Sequence, residues 1–195
     1  MAYSVTPSAE DCYPGTSVLI NKLGITDQKR LNENETLITS VKMLQIEMQP
    51  ITAEPDFSYL KHLHHLLFDE IYSWAGQVRH INISKLRTAF YPANQIEETA
   101  YAIFERLQKC HYFSNLPRNE LVCELSDLYD SINYLHPFRE GNGRVQRLYF
   151  RKLAQWLGHN LNFAAVESER LMIATIHASA GVMDDLRQIF DEILV

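Results

Sequence analysis

Apolar residues recur every three or four positions along almost the whole 195-residue chain, the spacing of helices with one buried face. Phe57, Leu60, Leu63, Leu67, Ile71 and Trp74 predict one long amphipathic helix, with Gly76 at the place of a C-terminal cap. Over 94–110, Ile96, Ala100, Ile103, Phe104 and Leu107 share a face, and Glu97 and Glu98 stand in the first turn, where the helix dipole favours acids. Asn119 is suited to cap the next helix, whose apolar set of Leu121, Val122, Leu125, Leu128, Tyr129, Ile132 and Leu135 runs up to His136-Pro137. Val145, Leu148, Tyr149, Leu153, Trp156 and Leu157 then keep helical spacing as far as Gly158. Further helices are expected over 168–178 and 184–194, over 17–23 with Gly24 as its stop, and after Thr26. Only 77–92 breaks the period. Val78, Ile81 and Ile83 alternate imperfectly there, ahead of a polar tract and Phe90, which reads as a short irregular β-hairpin. The expected fold class is all-α: a compact helical bundle with a hairpin flap.

Composition narrows this picture. An apolar content of 46% over 195 residues suffices for one full core, so a single domain over 1–195 is expected, with a helical extension at about 1–50. A formal net charge of −6 argues against general affinity for nucleic acid or acidic membranes. The start of the chain lacks a basic stretch followed by an apolar run, and no segment approaches the length of a membrane span, which suggests a soluble cytoplasmic protein. Three cysteines, Cys12, Cys110 and Cys123, without C-x-x-C spacing suit a reducing compartment better than a disulfide framework or a zinc site. His62, His64 and His65 lack acidic or thiol partners at ligand spacing and read as solvated or hydrogen-bonded rather than metal-binding.

The chemistry concentrates in "HPFREGNGR", residues 136–144. Pro137 disfavours the helical conformation for His136, so the preceding helix should end there with the imidazole at a helix-to-loop junction. Gly141, Asn142 and Gly143 form a turn that opens the next helix at about Arg144. A glycine-rich helix start presents backbone N–H groups at the positive end of the dipole, and that makes an anion site. Arg144 and Arg147 lie three apart in the first turn, both able to fork onto phosphate oxygens. Glu140 is placed to hold magnesium that also touches those phosphates, because this ion takes one or two carboxylates plus phosphate and water. A base, a metal carboxylate, an anion cradle and two cationic clamps are the parts of phosphoryl or nucleotidyl transfer. Phe138 reads as the core anchor of the loop.

The run from His136 to Arg147 resembles the Fic family signature, H-x-F-x-[D/E]-G-N-G-R-x-x-R, at every fixed position. "HHLLFDEIYSWAGQVR" is similar to the family's helix that ends in a W-A-G turn, "INISKLRTAF" to the flap hairpin that follows, and "YPGTSVLINKLGI" to the opening of bacterial toxin-type and effector-type members. The resemblance implies a Fic-type helical bundle that moves AMP from ATP to a hydroxyl side chain of a target protein. By matching position His136 would be the general base, and Glu140 would bind the Mg²⁺ that bridges the α- and β-phosphates. Gly141, Asn142 and Gly143 would form the anion hole, and Arg144 and Arg147 would hold the β- and γ-phosphates. A histidine with an ordinary pKa near 6.5 can accept a proton at cytoplasmic pH. The flap edge could hold an extended target segment by strand addition, which makes Arg87 and Thr88 candidates for target contact.

Two features refine what the resemblance implies. Family members that phosphorylate carry lysine in place of the second glycine, which here is Gly143. Self-inhibited members carry [S/T]-x-x-x-E-[G/N]. The Glu-Gly and Glu-Asn steps of this chain, at Glu140 and Glu33, are preceded four positions earlier by His136 and Lys29. The resemblance therefore implies a toxin whose inhibitory glutamate arrives on a separate small antitoxin and points at Arg147; an internal helix of degenerate pattern is the alternative. Type II topoisomerase subunits such as those of DNA gyrase are the expected targets on resemblance alone. Transfer of UMP, phosphocholine or phosphate on the same scaffold, and an inactive nucleotide-binding module, stay open.

Overall fold

The computed structural model describes residues 11–85 and 88–195, and for Lys85 and Thr88 the backbone alone. Among the described residues the helices are α1 (Gln28–Glu47), α2 (Phe57–Phe68), α3 (Ile96–Lys109), α4 (Arg118–Leu135), α5 (Asn142–Trp156), α6 (Ser168–Ser179) and α7 (Asp184–Ile193). A two-stranded antiparallel hairpin, β1 (Ser84–Lys85) and β2 (Thr88–Ala89), lies between α2 and α3, with Ser84 opposite Ala89. The expected all-α class with a short irregular hairpin is therefore what forms.

The core is built around α4 and α5. On α5, Val145, Leu148, Tyr149, Phe150, Leu153 and Ala154 are all buried, too wide a set for one stripe, because α1, α2 and α4 cover it from different sides. α6 and α7 close the far side of α4. α1 is capped by Asp27, whose carboxylate accepts the Arg30 N–H at 2.8 Å. It turns Leu31, Glu35, Thr39 and Ile46 inward.

Several boundaries differ from the sequence-based expectation, each for a local reason. α2 stops at Phe68 rather than running to Trp74: the chain turns at 69–76, and Tyr72 and Trp74 return to the core stacked on each other, ring centroids 4.3 Å apart. No helix forms over 17–23. The Asn21 side chain donates to the Leu19 and Ile25 carbonyls at 2.9 and 2.7 Å and accepts the Ile25 N–H at 3.0 Å, so it competes with helical pairing, while Leu19 bridges to Cys12. Asn119 is not a cap, because α4 already begins at Arg118 behind Pro117. α5 begins at Asn142 with Gly141 at its N-cap, two residues before the expected Arg144.

Candidate active site

The loop between α4 and α5 carries the sequence motif. α4 ends at Leu135, and His136 takes the left-handed conformation, φ 45° and ψ 62°, with its N–H bonded to the Ile132 carbonyl at 3.1 Å. That turn ends the helix and sets the imidazole on the loop side. His136 is 5% exposed, and its ring stacks on Phe90, just past the flap strand, with centroids 3.6 Å apart. Its Nδ1 lies 3.0 Å from the Asn133 carbonyl oxygen. A carbonyl only accepts, so Nδ1 carries the proton, and in the neutral ring Nε2 is the basic nitrogen.

The loop is shaped by its own side chains. The Asn142 side chain donates to the Phe138 carbonyl at 2.7 Å and accepts the Phe138 N–H at 2.9 Å, which closes the turn. Phe138 is fully buried, as expected of an anchor, with its ring on that of His64 at 3.9 Å. Gly141, with φ 77°, lies so close to Phe68 that a Cβ would stand 2.2 Å from a carbon of the Phe68 ring. The N–H groups of Asn142 and Gly143 stand at the open start of α5, ahead of any intrahelical acceptor.

The charged residues are held from three elements. Arg144 is ion-paired with Glu35 of α1, lies over the Phe68 ring with its Cζ 4.8 Å from the centroid, and stands 3.6 Å from the Glu140 carboxylate. Burial pushes the Tyr129 phenol of α4 up to about 12, against the opposing pull of the nearby Arg147 charge. The Gly141 N–H donates to Glu140 Oε1 at 2.8 Å. Burial holds the Glu140 carboxyl above its ordinary range against that bond, and the Glu35 charge adds to the effect. One carboxylate beside an anion-binding helix start suits Mg²⁺ shared with substrate phosphates. Among the described residues no group of three or more His, Cys, Asp or Glu could hold a metal without such a substrate. Arg87 lies outside the described residues, and the Thr88 backbone pairs with Lys85 at the flap tip.

Sequence reasoning did not single out Arg79 or His64 as parts of this site. Arg79, 3% exposed, donates from Nε to the His136 carbonyl at 2.7 Å and from its terminal nitrogens to Ile81, Tyr91 and Leu135 carbonyls at 2.7, 2.6 and 3.4 Å. It fastens the flap to the motif loop. His64 is fully buried; its Nδ1 accepts the Gly76 N–H at 2.8 Å, so its Nε2–H donates to the Glu140 carbonyl at 3.0 Å.

His64 makes stability depend on pH. Burial pushes its imidazolium from 6.5 down to about 3. The unfolded chain therefore takes up this proton first, so the stabilisation is complete above about pH 6.5 and is lost as pH falls toward 3. Urea unfolding should give a stability lower by about 2 kcal/mol at pH 5 than at pH 7 from this residue, and His64→Gln should remove that part of the pH dependence.

The sequence model of the Fic/DOC family matches residues 54–154. A protein adenylyltransferase of Bartonella henselae is 33% identical over 197 residues, covering 93% of this chain and 36% of its own length. A probable protein adenylyltransferase Fic of Escherichia coli is 31% identical over 182 residues, covering 93% of this chain and 90% of its own. The chain thus spans about a third of the first relative and nearly all of the second. The N-terminal Fic domain of a putative cell filamentation protein from Bartonella quintana, with bound ADP, aligns with a TM-score of 0.90 at 25% identity over 96% of this chain and 95% of that one. The matched span takes in the whole loop from His136 to Arg147, and with it α2 and the flap that support the loop: this chain belongs to the Fic/DOC family.

Proposed function

We propose that this protein is a protein adenylyltransferase, which moves AMP from ATP to a Ser, Thr or Tyr hydroxyl of a target protein and releases pyrophosphate. The observation that carries this reading is the pairing, within one loop, of a histidine whose tautomer leaves Nε2 basic with an open helix start flanked by two arginines. Relatives over most of the chain are named adenylyltransferases, and a structural neighbour holds ADP. His136 Nε2 takes the hydroxyl proton as the oxygen attacks the α-phosphorus; the bond to the bridging oxygen breaks, and its electron pair leaves with pyrophosphate. The Asn133 carbonyl stabilises the imidazolium through Nδ1–H. The N–H groups at the start of α5 receive developing negative charge, and Arg144 and Arg147 hold the outer phosphates. Mg²⁺, when bound at Glu140, neutralises phosphate charge.

The described residues act as one Fic domain on this reading, in the cytoplasm of a bacterium. It is a toxin restrained by a separate antitoxin whose glutamate meets Arg147, and its targets include type II topoisomerase subunits. The flap residues Arg87 and Thr88 contact the target segment. Gly143 supports AMP transfer over phosphorylation, and the given sequence carries no [S/T]-x-x-x-E-[G/N] run, which supports inhibition from a separate chain; the targets, the compartment and the flap contacts rest on the family resemblance alone.

Incubating the protein and Mg²⁺ in bacterial lysate with ATP labelled at the α- or the γ-phosphate tests the reaction. Protein label from α alone is expected. Label from γ would show phosphorylation instead. Label from neither, with UTP or CDP-choline active in parallel, would assign another donor, and no transfer from any donor would leave a nucleotide-binding module.

A further inference from the structure

Residues 54–154 carry the family match, so α1 lies outside it, yet α1 reaches the motif. Glu35, 7% exposed, points from its inner face to Arg144 and is gripped on its other oxygen by the Tyr72 hydroxyl. Tyr72 is itself 1% exposed and stacked on Trp74. A buried carboxylate fixed on both oxygens, on a helix that the shared motif does not include, needs a reason.

Arg144 stands between two carboxylates, paired with Glu35 and 3.6 Å from Glu140. Glu140 lies in the loop just ahead of α5 and Arg144 in its first turn, and at 3.6 Å the two already form a loose ion pair. A tighter pair would bind the phosphate clamp to the metal carboxylate and withdraw both from substrate. We propose that Glu35 is a positioning residue that takes the tight pair with Arg144 and so keeps its contact with Glu140 loose, leaving the arginine ready for nucleotide phosphate and the carboxylate for Mg²⁺. The donor count of Arg144 allows this. A guanidinium has five N–H donors. One goes to Glu35 and one points to the Thr39 hydroxyl at 3.4 Å, while Phe68 supports one face. Nη2 faces both carboxylates, so the Nε–H and the second Nη1–H are left for phosphate, and Glu35 orients the arginine without exhausting it.

The inference rests on the adenylyltransferase reading, and metal-free ADP binding by calorimetry tests the two separately. Glu35→Gln keeps the size and the Tyr72 contact but removes the charge. ADP affinity should fall about tenfold, a change of 1.4 kcal/mol, because Arg144 then turns to Glu140. Adding Glu140→Gln to that variant should restore most of the affinity, since the competing carboxylate is gone; a merely structural Glu35 would give no such rescue. Should Glu35→Gln fail to fold by circular dichroism, Tyr72→Phe loosens Glu35 from the other side and should weaken ADP in the same direction. Unchanged or tighter ADP binding in the single variant, or no rescue in the double one, overturns the inference and leaves the enzymatic reading standing. A wild-type protein that binds no ADP overturns both.

Discussion

Replacing His136 with alanine should lower the rate of AMP transfer by about 10²–10⁴-fold, the usual contribution of a positioned general base, and leave ADP affinity close to that of wild type. The expectation follows from how the residue is held. Its backbone contacts, the N–H to Ile132 and the carbonyl to Arg79, survive the substitution. Alanine also carries the same Cβ into the left-handed conformation that histidine already tolerates at φ 45°. What disappears is the ring, and with it Nε2 and the Phe90 stacking. Label incorporation from α-labelled ATP, measured beside ADP calorimetry, separates chemistry from binding. Loss of both together would mean that the ring builds the nucleotide site rather than acting on the target hydroxyl.

Gly141→Ala should cost about 2–5 kcal/mol of folding stability, the sum of a left-handed penalty of roughly 1–2 kcal/mol and an overpacking cost of roughly 1–3 kcal/mol. The added methyl group meets the ring of Phe68, which is fully buried and cannot swing clear. Relief therefore has to come from the loop, which moves the Asn142 and Gly143 N–H groups, so nucleotide affinity should drop as well. Gly143→Ala is the control: there a Cβ meets only the tip of Arg147, at 3.3 Å, a flexible group that can yield. Urea unfolding of the two variants should separate them clearly; equal stabilities would show that Phe68 yields and that Gly141 is not required by packing.

The motif loop was legible because its parts lie within twelve residues and each has a local cause: Pro137 after the last helical turn, glycine before the next, and arginines one turn apart. The helices were legible wherever a single face is buried, as in α3 and α7. Legibility failed where side chains overrode the period. Asn21 takes the backbone partners that a helix over 17–23 would use. Trp74 keeps helical spacing with Leu67 and Ile71 although the chain between them has turned back. Long-range partners left no trace in the pattern. Glu35 looks like one more polar position on α1, and its purpose depends on Arg144, 109 residues away; Arg79 meets the His136 carbonyl across 57.

The Arg79 junction has a consequence for the conditions under which the flap and the loop stay joined. Its described partners are four carbonyl oxygens, neutral dipoles at short range, and the guanidinium keeps its charge at neutral pH although burial draws it down to about 10. Attractions between exposed opposite charges, such as Arg118 with Asp191 and Arg170 with Glu192, fade in brine, where the Debye length shrinks to about 3 Å at 1 M salt. A dry bond between a cation and a carbonyl gives dissolved ions no room to intervene. High ionic strength should therefore loosen the periphery of this protein well before it separates the flap from the histidine beneath it.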